Sequence, residues 1–289
     1  MLHGLMVVNA FLRTTKFDDI YHTLLAAAND CGMALSVRTN AELIVEADTL
    51  LTDDFDFVLF WDKDVQLARR LEQRGLPVFN SAASILRCDD KALTWLTLRA
   101  HELPMPRTLL APKTFANIGY TNLDFVHEAG RTLGYPLVLK ECFGSFGQQV
   151  YLMQNEDELA RKVQSLAGTP MLFQELVRES YGRDARLNVV GGRVAASMLR
   201  SSTDGDFRSN LTRGGAMERY EPSEAERELA IRAVELLGLD FAGVDVLFGK
   251  DGPLLCEVNS NAHFKTTLAC TGVNMAVEIM RHIAARLGA

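Results

Sequence analysis

The chain has 289 residues, of which 48% are hydrophobic and 23% charged, with 30 lysines and arginines against 37 aspartates and glutamates. That is the balance of an ordinary globular protein of about two or three domains, and it excludes disorder, collagen and coiled coil as the main architecture. A formal net charge of −7 gives an overall field unsuited to wrapping nucleic acid, which leaves only a local basic cleft for that role.

Five cysteines, Cys31, Cys88, Cys142, Cys256 and Cys270, are odd in number and contain no Cys-x-x-Cys, so they read as scattered reduced thiols. The first residues lack a basic stretch, and their apolar run is broken at Asn9 and Arg13. They read as a strand and not as a signal peptide. No apolar run approaches the ~18 residues a membrane helix needs. A cytoplasmic protein with no membrane and no nucleic-acid partner is the expectation.

In chain order, 5–9 reads as a strand and 17–30 as a helix with Ile20, Leu24, Leu25 and Ala28 on one face. Strands follow at 33–38 and 55–61, then a polar helix at 64–74 stopped by Gly75-Leu76-Pro77, and a short strand at 78–80. Alternating strands and helices predict a small parallel α/β domain over 1–88. A helix is predicted at 89–101, ended by Pro104 and Pro106, and another at 122–133, closed by Gly134. Strands at 136–141 and 149–153 flank a glycine loop. Asn155 caps a helix whose first turn carries Glu156, Asp157 and Glu158, and 171–177 is again a strand. That is a small α+β unit over 89–176. From 177 to 289 the pattern is mostly antiparallel. Strands 184–190 and 193–200 flank Gly191-Gly192, a strong hairpin signal. A capping-box pattern opens a helix at 222–226 and Gly238 ends it; strands 241–248 and 253–259 form a hairpin around 249–252, and 273–287 is a final helix.

The hairpin at 241–259 is the most informative segment. Asp245 and Glu257 are equidistant from its turn, so they should lie opposite or diagonal across the ladder. Glu257 and Asn259 share a face, because strand side chains repeat every ~2 residues. Two carboxylates and an amide then converge on an otherwise apolar hairpin. Like charges so placed need a cation, and an all-oxygen set without cysteine suits magnesium held with nucleotide phosphates. The bland reading is a hairpin with one solvated face.

Lys140 closes an apolar strand before Gly144-Ser145-Phe146-Gly147. Backbone N–H groups can approach an anion where no Cβ intervenes, so this pair suits gripping phosphates. It is not a P-loop, and a plain turn beside a surface lysine reads equally well from these residues. The loop Phe207-Arg208-Ser209-Asn210-Leu211-Thr212-Arg213-Gly214-Gly215 could clamp an anion or be a solvated polar loop. Asp184 and Arg186, two apart, are either a functional pair or a surface ion pair. His101-Glu102 and His127-Glu128 lack metal-ligand spacing and read as surface residues. No dinucleotide fingerprint, His-Glu-x-x-His or Gly-x-Ser-x-Gly is present.

In this order the motifs resemble the ATP-grasp superfamily, and within it the RimK-like carboxylate–amine ligases of the alpha-L-glutamate ligase type. The match runs from about Asn80 onward: Lys140, the glycine loop, Gln174-Glu175, Asp184-x-Arg186, Gly205-Asp206-Phe207-Arg208-Ser209-Asn210, Arg213-Gly214-Gly215, Gly243-Val244-Asp245 and Glu257-Val258-Asn259. The resemblance implies an α/β (α+β) ATP-grasp fold. The N-terminal pre-ATP-grasp α/β domain (1–88) would precede a central lid subdomain (89–176) and a C-terminal subdomain with the metal site (177–289). It implies ATP and Mg²⁺, with Mn²⁺ as a substitute, and an ADP-forming reaction. A carboxylate takes the γ-phosphoryl group, and an amine then displaces phosphate from the acylphosphate. The partners would be an amino acid such as glutamate and an unidentified carboxylate acceptor, with a homo-oligomer as the default assembly.

By the same resemblance Asp245, Glu257 and Asn259 hold the metal. Arg208 and Asn210 are catalytic, steadying the transferred phosphoryl group. Lys91, Lys140, Gly144, Ser145, Gly147, Glu175, Leu176, Asp184, Arg208, Ser209 and Asn210 bind the nucleotide. The sequence departs from the family at three places. The lid has Phe146 in place of a third glycine, and Leu176 stands where an aromatic is frequent. Ser260-Asn261-Ala262-His263-Phe264-Lys265 replaces the usual proline and glycine after the metal asparagine. His263 and Lys265 become candidate contacts for a substrate carboxylate, as do Arg13, Lys16 and Arg38 for an acidic substrate. The alternative reading is a nucleotide-binding regulatory protein of the same fold without ligase turnover.

Overall fold

The computed structural model describes residues 1–12, 14–44, 54–145, 147–209 and 215–289. Three sheets organise them. The first is parallel, with β1 (His3–Val8), β2 (Ala34–Thr39), β3 (Phe57–Trp61) and β4 (Val78–Phe79) in the order β2-β1-β3-β4. Every residue of β3 is buried because both of its faces are covered. Phe57, Leu59 and Trp61 join one core and Val58 and Phe60 another. Helices α1 (Thr15–Asp30) and α2 (Val65–Glu72) serve these two cores, and Asp64 caps α2 by accepting from Leu67 N–H.

The helix predicted at 89–101 is α4 (Lys91–Arg99), and a separate α3 (Ala82–Asp89) precedes it. Asp90 sits between them in an extended conformation, and its Oδ1 accepts from Ala92 and Leu93 N–H. An aspartate that caps the second helix cannot also continue the first. The second sheet is antiparallel. It contains β5 (Thr108–Leu110), β6 (Leu137–Glu141), β7 (Val150–Met153) and β8 (Met171–Glu175) in the order β5-β8-β6-β7, with α5 (Asp124–Leu133) and α6 (Glu156–Ser165) packed behind it. The third is antiparallel too. It contains β9 (Arg183–Val190), β10 (Arg193–Ser201), β11 (Ala216–Arg219), β12 (Phe241–Gly249) and β13 (Gly252–Asn259) in the order β11-β10-β9-β12-β13.

Helix α7 (Glu224–Leu237) opens with the predicted capping box, Ser223 and Glu226 satisfying each other's backbone. Helices α8 (Lys265–Thr271) and α9 (Met275–Leu287) end the chain as described. Strands β5 and β11 and helices α3 and α8 had no sequence expectation. Each is short, and all four residues of β11 are exposed, so no hydrophobic period marks it. The first and third sheets share a core. Ile20 and Leu24 of α1 join Met280 and Ile283 of α9, and Trp61 stacks on Phe241 at 5.9 Å. Asn80 ties the same junction. Fully buried, its amide donates to Phe241 O at 2.9 Å and Ser260 O at 3.1 Å, and its Oδ1 accepts from Asp240 N–H at 2.7 Å.

Candidate functional site

A cleft of about 280 Å³ opens between the second and third sheets and reaches the loop after β13. Most of its charged residues lie on β9, β10, β12 and β13. Asp245 and Glu257 are direct cross-strand partners, and Asn259 pairs with Gly243 two residues along the same face. The register shift beyond Asp245 places Cys256 as the extra residue of the bulge. Gly243 is required here, because a Cβ would lie 2.6 Å from Ala262 Cβ and 3.1 Å from Arg186 Nη1.

Asp245 is 6% exposed and is gripped by two guanidiniums. Arg186, opposite it on β9, donates through Nε to Oδ1 and through Nη2 to Oδ2 at 2.9 Å. Arg200 Nη2 approaches Oδ1 at 2.9 Å. Arg200 in turn holds Asp184 through Nε at 2.7 Å and Nη2 at 2.6 Å, and Ser209 Oγ donates to Asp184 Oδ2 at 2.6 Å. Burial alone would push the Asp245 carboxyl up, but the Arg186 and Arg200 charges outweigh it and hold it below the usual range. Asp184 and Arg186 are therefore neither a surface pair nor each other's partner. They alternate with Arg200 and Asp245 in one buried chain of charges. Arg200 carried no sequence signal beyond being a basic residue in an apolar strand.

The opposite wall comes from the second sheet. Lys140 is 8% exposed, with Nζ 3.8 Å from Cys256 Sγ. Burial pushes that thiol up to about 11 despite Lys140. Ser145, Gly147, Glu175 and Leu176 line the cleft, but Gly144 does not. Lys91 lies in a small neighbouring pocket, where Nζ donates to Gly144 O at 3.2 Å and faces Glu257 Oε1 at 3.5 Å. The Glu175 carboxylate is taken by Arg107, through Nε at 2.7 Å and the backbone N–H at 2.8 Å. Arg208 bridges the walls: Asp206 holds its Nε and Nη2, while Nη1 donates to Gly147 O at 2.7 Å and Val150 O at 3.1 Å. Lys63, unforeseen from sequence, also lines the cleft, with Nζ 3.4 Å from Ser145 Oγ and an ion pair to Asp89.

Asn210, Arg213, Gly214, Phe146, Arg13 and the Lys16 side chain lie outside the described residues. Arg38 is largely exposed and its guanidinium bonds the adjacent Val37 O, so it does not join the cleft. Lys265 lines the cleft but pairs with Asp19, and the His263 ring meets Phe17 edge-on at 4.7 Å. His127 pairs with Glu156 and Glu128 with Arg131 on the surface, as expected.

The donor set fits a hard cation. Asp245, Glu257 and Asn259 offer oxygen only. Among the described residues no three His, Cys, Asp or Glu side chains gather as a metal site. Two carboxylates and an amide would thus need phosphate or water oxygens to complete a shell, which is the manner of magnesium. No helix of the described residues is long and apolar enough to cross a membrane.

Comparison with known proteins identifies the family and the fold. The family described as the RimK-like ATP-grasp domain matches residues 88–283. The chain is 38% identical over 205 residues to human N-acetylaspartylglutamate synthase A, covering 70% of this chain and 51% of that protein. It is 34% identical over 271 residues to a probable alpha-L-glutamate ligase of Pasteurella multocida, covering 88% and 83%. A RimK-domain ATP-grasp crystal structure from Sphaerobacter thermophilus superposes with a TM-score of 0.73 at 23% identity, covering 98% and 99%. The chain spans about half the length of N-acetylaspartylglutamate synthase A and of beta-citrylglutamate synthase B, curated relatives that it matches. It belongs to the RimK-like ATP-grasp family, and its fold is the ATP-grasp fold.

Proposed function

We propose that this chain is an ADP-forming carboxylate–amine ligase that uses ATP and magnesium to attach an amino acid such as glutamate to a carboxylate acceptor. The observation that carries this reading is the cleft itself. One wall presents the acids Asp245 and Glu257 with Asn259, and the other presents Lys140 and the glycine turn at Ser145 and Gly147. The units 1–88, 89–176 and 177–289 would act as N-terminal domain, lid and metal-bearing subdomain, in line with the three sheets. The five described cysteines carry no disulfide, which suits a cytoplasmic setting.

Asp245, Glu257 and Asn259 would hold the magnesium, which supplies charge neutralisation at the phosphates when bound. Lys140 and the backbone of the Ser145–Gly147 turn would bind phosphate oxygens. Glu175 and Leu176 would meet the base. Arg208, already joined to the lid carbonyls, would face the transferred phosphoryl group with Asn210 and favour charge developing there. A carboxylate oxygen takes the γ-phosphoryl group and ADP leaves. The amine nitrogen then forms the C–N bond as phosphate departs. The buried walls and the lid keep water from the acylphosphate.

The test is phosphate release from ATP and magnesium against a panel of acids and amines, singly and in pairs. Release that requires a specific pair, with a product mass equal to their condensation, establishes the ligase. ATP binding without release under any pair would instead make the chain a nucleotide-binding regulatory protein.

A further inference from the structure

Three buried acceptor atoms without partners lie on neighbouring residues, two of which line the cleft and one of which stands behind them. Asp62 follows the C-terminal end of β3 and is 6% exposed. Its Oδ1 accepts from Asn9 Nδ2 at 3.1 Å and from Lys63 N–H at 2.7 Å, but its buried Oδ2 has no hydrogen-bond partner. Ser260, 2% exposed, and Asn261 line the cleft, and Ser260 Oγ and Asn261 Oδ1 are likewise buried and unpartnered. The three belong to one neighbourhood, since Asn261 Nδ2 donates to Asp62 O at 2.9 Å.

The neighbourhood is held firmly. Asn80 accepts the load on one side by donating to Ser260 O, and Lys265 pairs with Asp19 of α1 on the other. Burial pushes the Asp62 carboxyl up, and Tyr21 is raised to about 12 by burial and then by Asp62 and Asp18. A buried carboxylate oxygen and an amide oxygen can only accept from a donor, so the chemistry they lack is a cationic group with several N–H bonds. A primary ammonium carries three such donors.

We propose that Asp62, Ser260 and Asn261 form the subsite that receives the free ammonium group of the amino-acid substrate. The inference rests on the ligase reading and adds which end of that substrate this loop recognises. It also gives the N-terminal sheet a part in binding substrate. Lys63 and Lys265, on either side, suit the carboxylates of the same molecule.

The test uses the full chain with magnesium and a non-hydrolysable ATP analogue, titrated calorimetrically with the twenty amino acids singly, L-glutamate first. The amino acid that binds is compared with its N-acetylated form and with its deaminated form. Both should bind at least ~10-fold more weakly, the loss of charge-assisted hydrogen bonds. Asp62→Asn should weaken the free amino acid to a similar degree while leaving the nucleotide affinity unchanged. If that variant does not fold, Ser260→Ala serves in its place, and the two analogues need no variant at all. Equal binding of the acetylated and free forms, or wild-type affinity in the variants, overturns the subsite. Phosphate release that depends on an acid and an amine, with an amine KM unmoved by Asp62→Asn, removes the subsite and leaves the ligase reading. No amino acid bound and no release removes both.

Discussion

The two walls of the cleft are built on different physics. On the third sheet, Asp184, Arg200, Asp245 and Arg186 form an alternating chain in which every charge has a close counter-charge. Each is nearly buried, so removing one would leave its partners with an uncompensated buried charge. On the second sheet, the cation Lys140 contacts the Cys256 thiol, and the glycine turn is reached by single contacts from Lys63, Lys91 and Arg208. The chain of charges on the third sheet is internally paired and holds Asp245 in register beside Glu257 and Asn259, serving as a template. The other wall has cations with few partners, and an anion can claim them.

The largest expected effects break that contrast at its acids. Glu257→Gln should lower turnover about 10³-fold or more, the several kcal/mol a metal supplies, with little change in Tm. Asp245→Asn should lose turnover as well, but it also leaves two buried guanidiniums short of a partner and should cost about 3–5 kcal/mol of stability. Denaturant melts alongside phosphate-release assays separate the two, and equal Tm losses would refute the template view. The depressed Asp245 carboxyl has a pH consequence with a definite sign. Its contribution to stability is present above the unfolded aspartate value of about 3.9 and is lost as pH falls through its lower folded value. An acid-unfolding titration should show that step in the wild type and not in Asp245→Asn.

Arg208→Ala comes next. It removes a group that faces the proposed phosphoryl position and also ties the lid, so the catalytic rate should fall about 10²-fold. Nucleotide affinity should fall by less, and a change in affinity alone would contradict the phosphoryl role. Asn80→Ala should cost about 1–3 kcal/mol, because it strands buried N–H and C=O groups of Asp240, Phe241 and Ser260. Asn80→Asp keeps the acceptor for Asp240 but cannot donate to Phe241 O and Ser260 O, so it should rescue stability only in part. The smallest effect is expected at Arg107→Ala, whose exposed pair with Glu175 is worth under about 1 kcal/mol. A larger loss measured by thermal melting would show the Arg107–Glu175 pair to stabilise the β5–β8 junction more than its exposure implies.

Much of the site was legible along the chain. The distance of Asp245 and Glu257 from their turn gave their register, since an antiparallel ladder counts equally from its turn. Ser223 and Glu226 announced α7, and Gly191-Gly192 the turn of β9 and β10, because caps and turns are made by neighbours. Family motifs located Lys140, Ser145, Gly147 and Leu176, which do line the cleft. Other features had no local trace. The reading of 89–101 as a helix started it before its Asp90 cap and missed α3, and nothing in Trp61-Asp62-Lys63-Asp64 marks Asp62 as buried.

What the sequence determined by itself is the set of elements with a strong period or cap, the family, and the face shared by the metal-type ligands. These are properties of residues within a turn or a strand pair of one another. What only the tertiary structure decided is which charges meet. Arg200 reaches both Asp184 and Asp245, Asn80 joins a strand 160 residues away, and Asp62 finds itself beside Asn261. Burial turns such meetings into constraints, because a charge or amide removed from water must find its partner wherever the fold brings one.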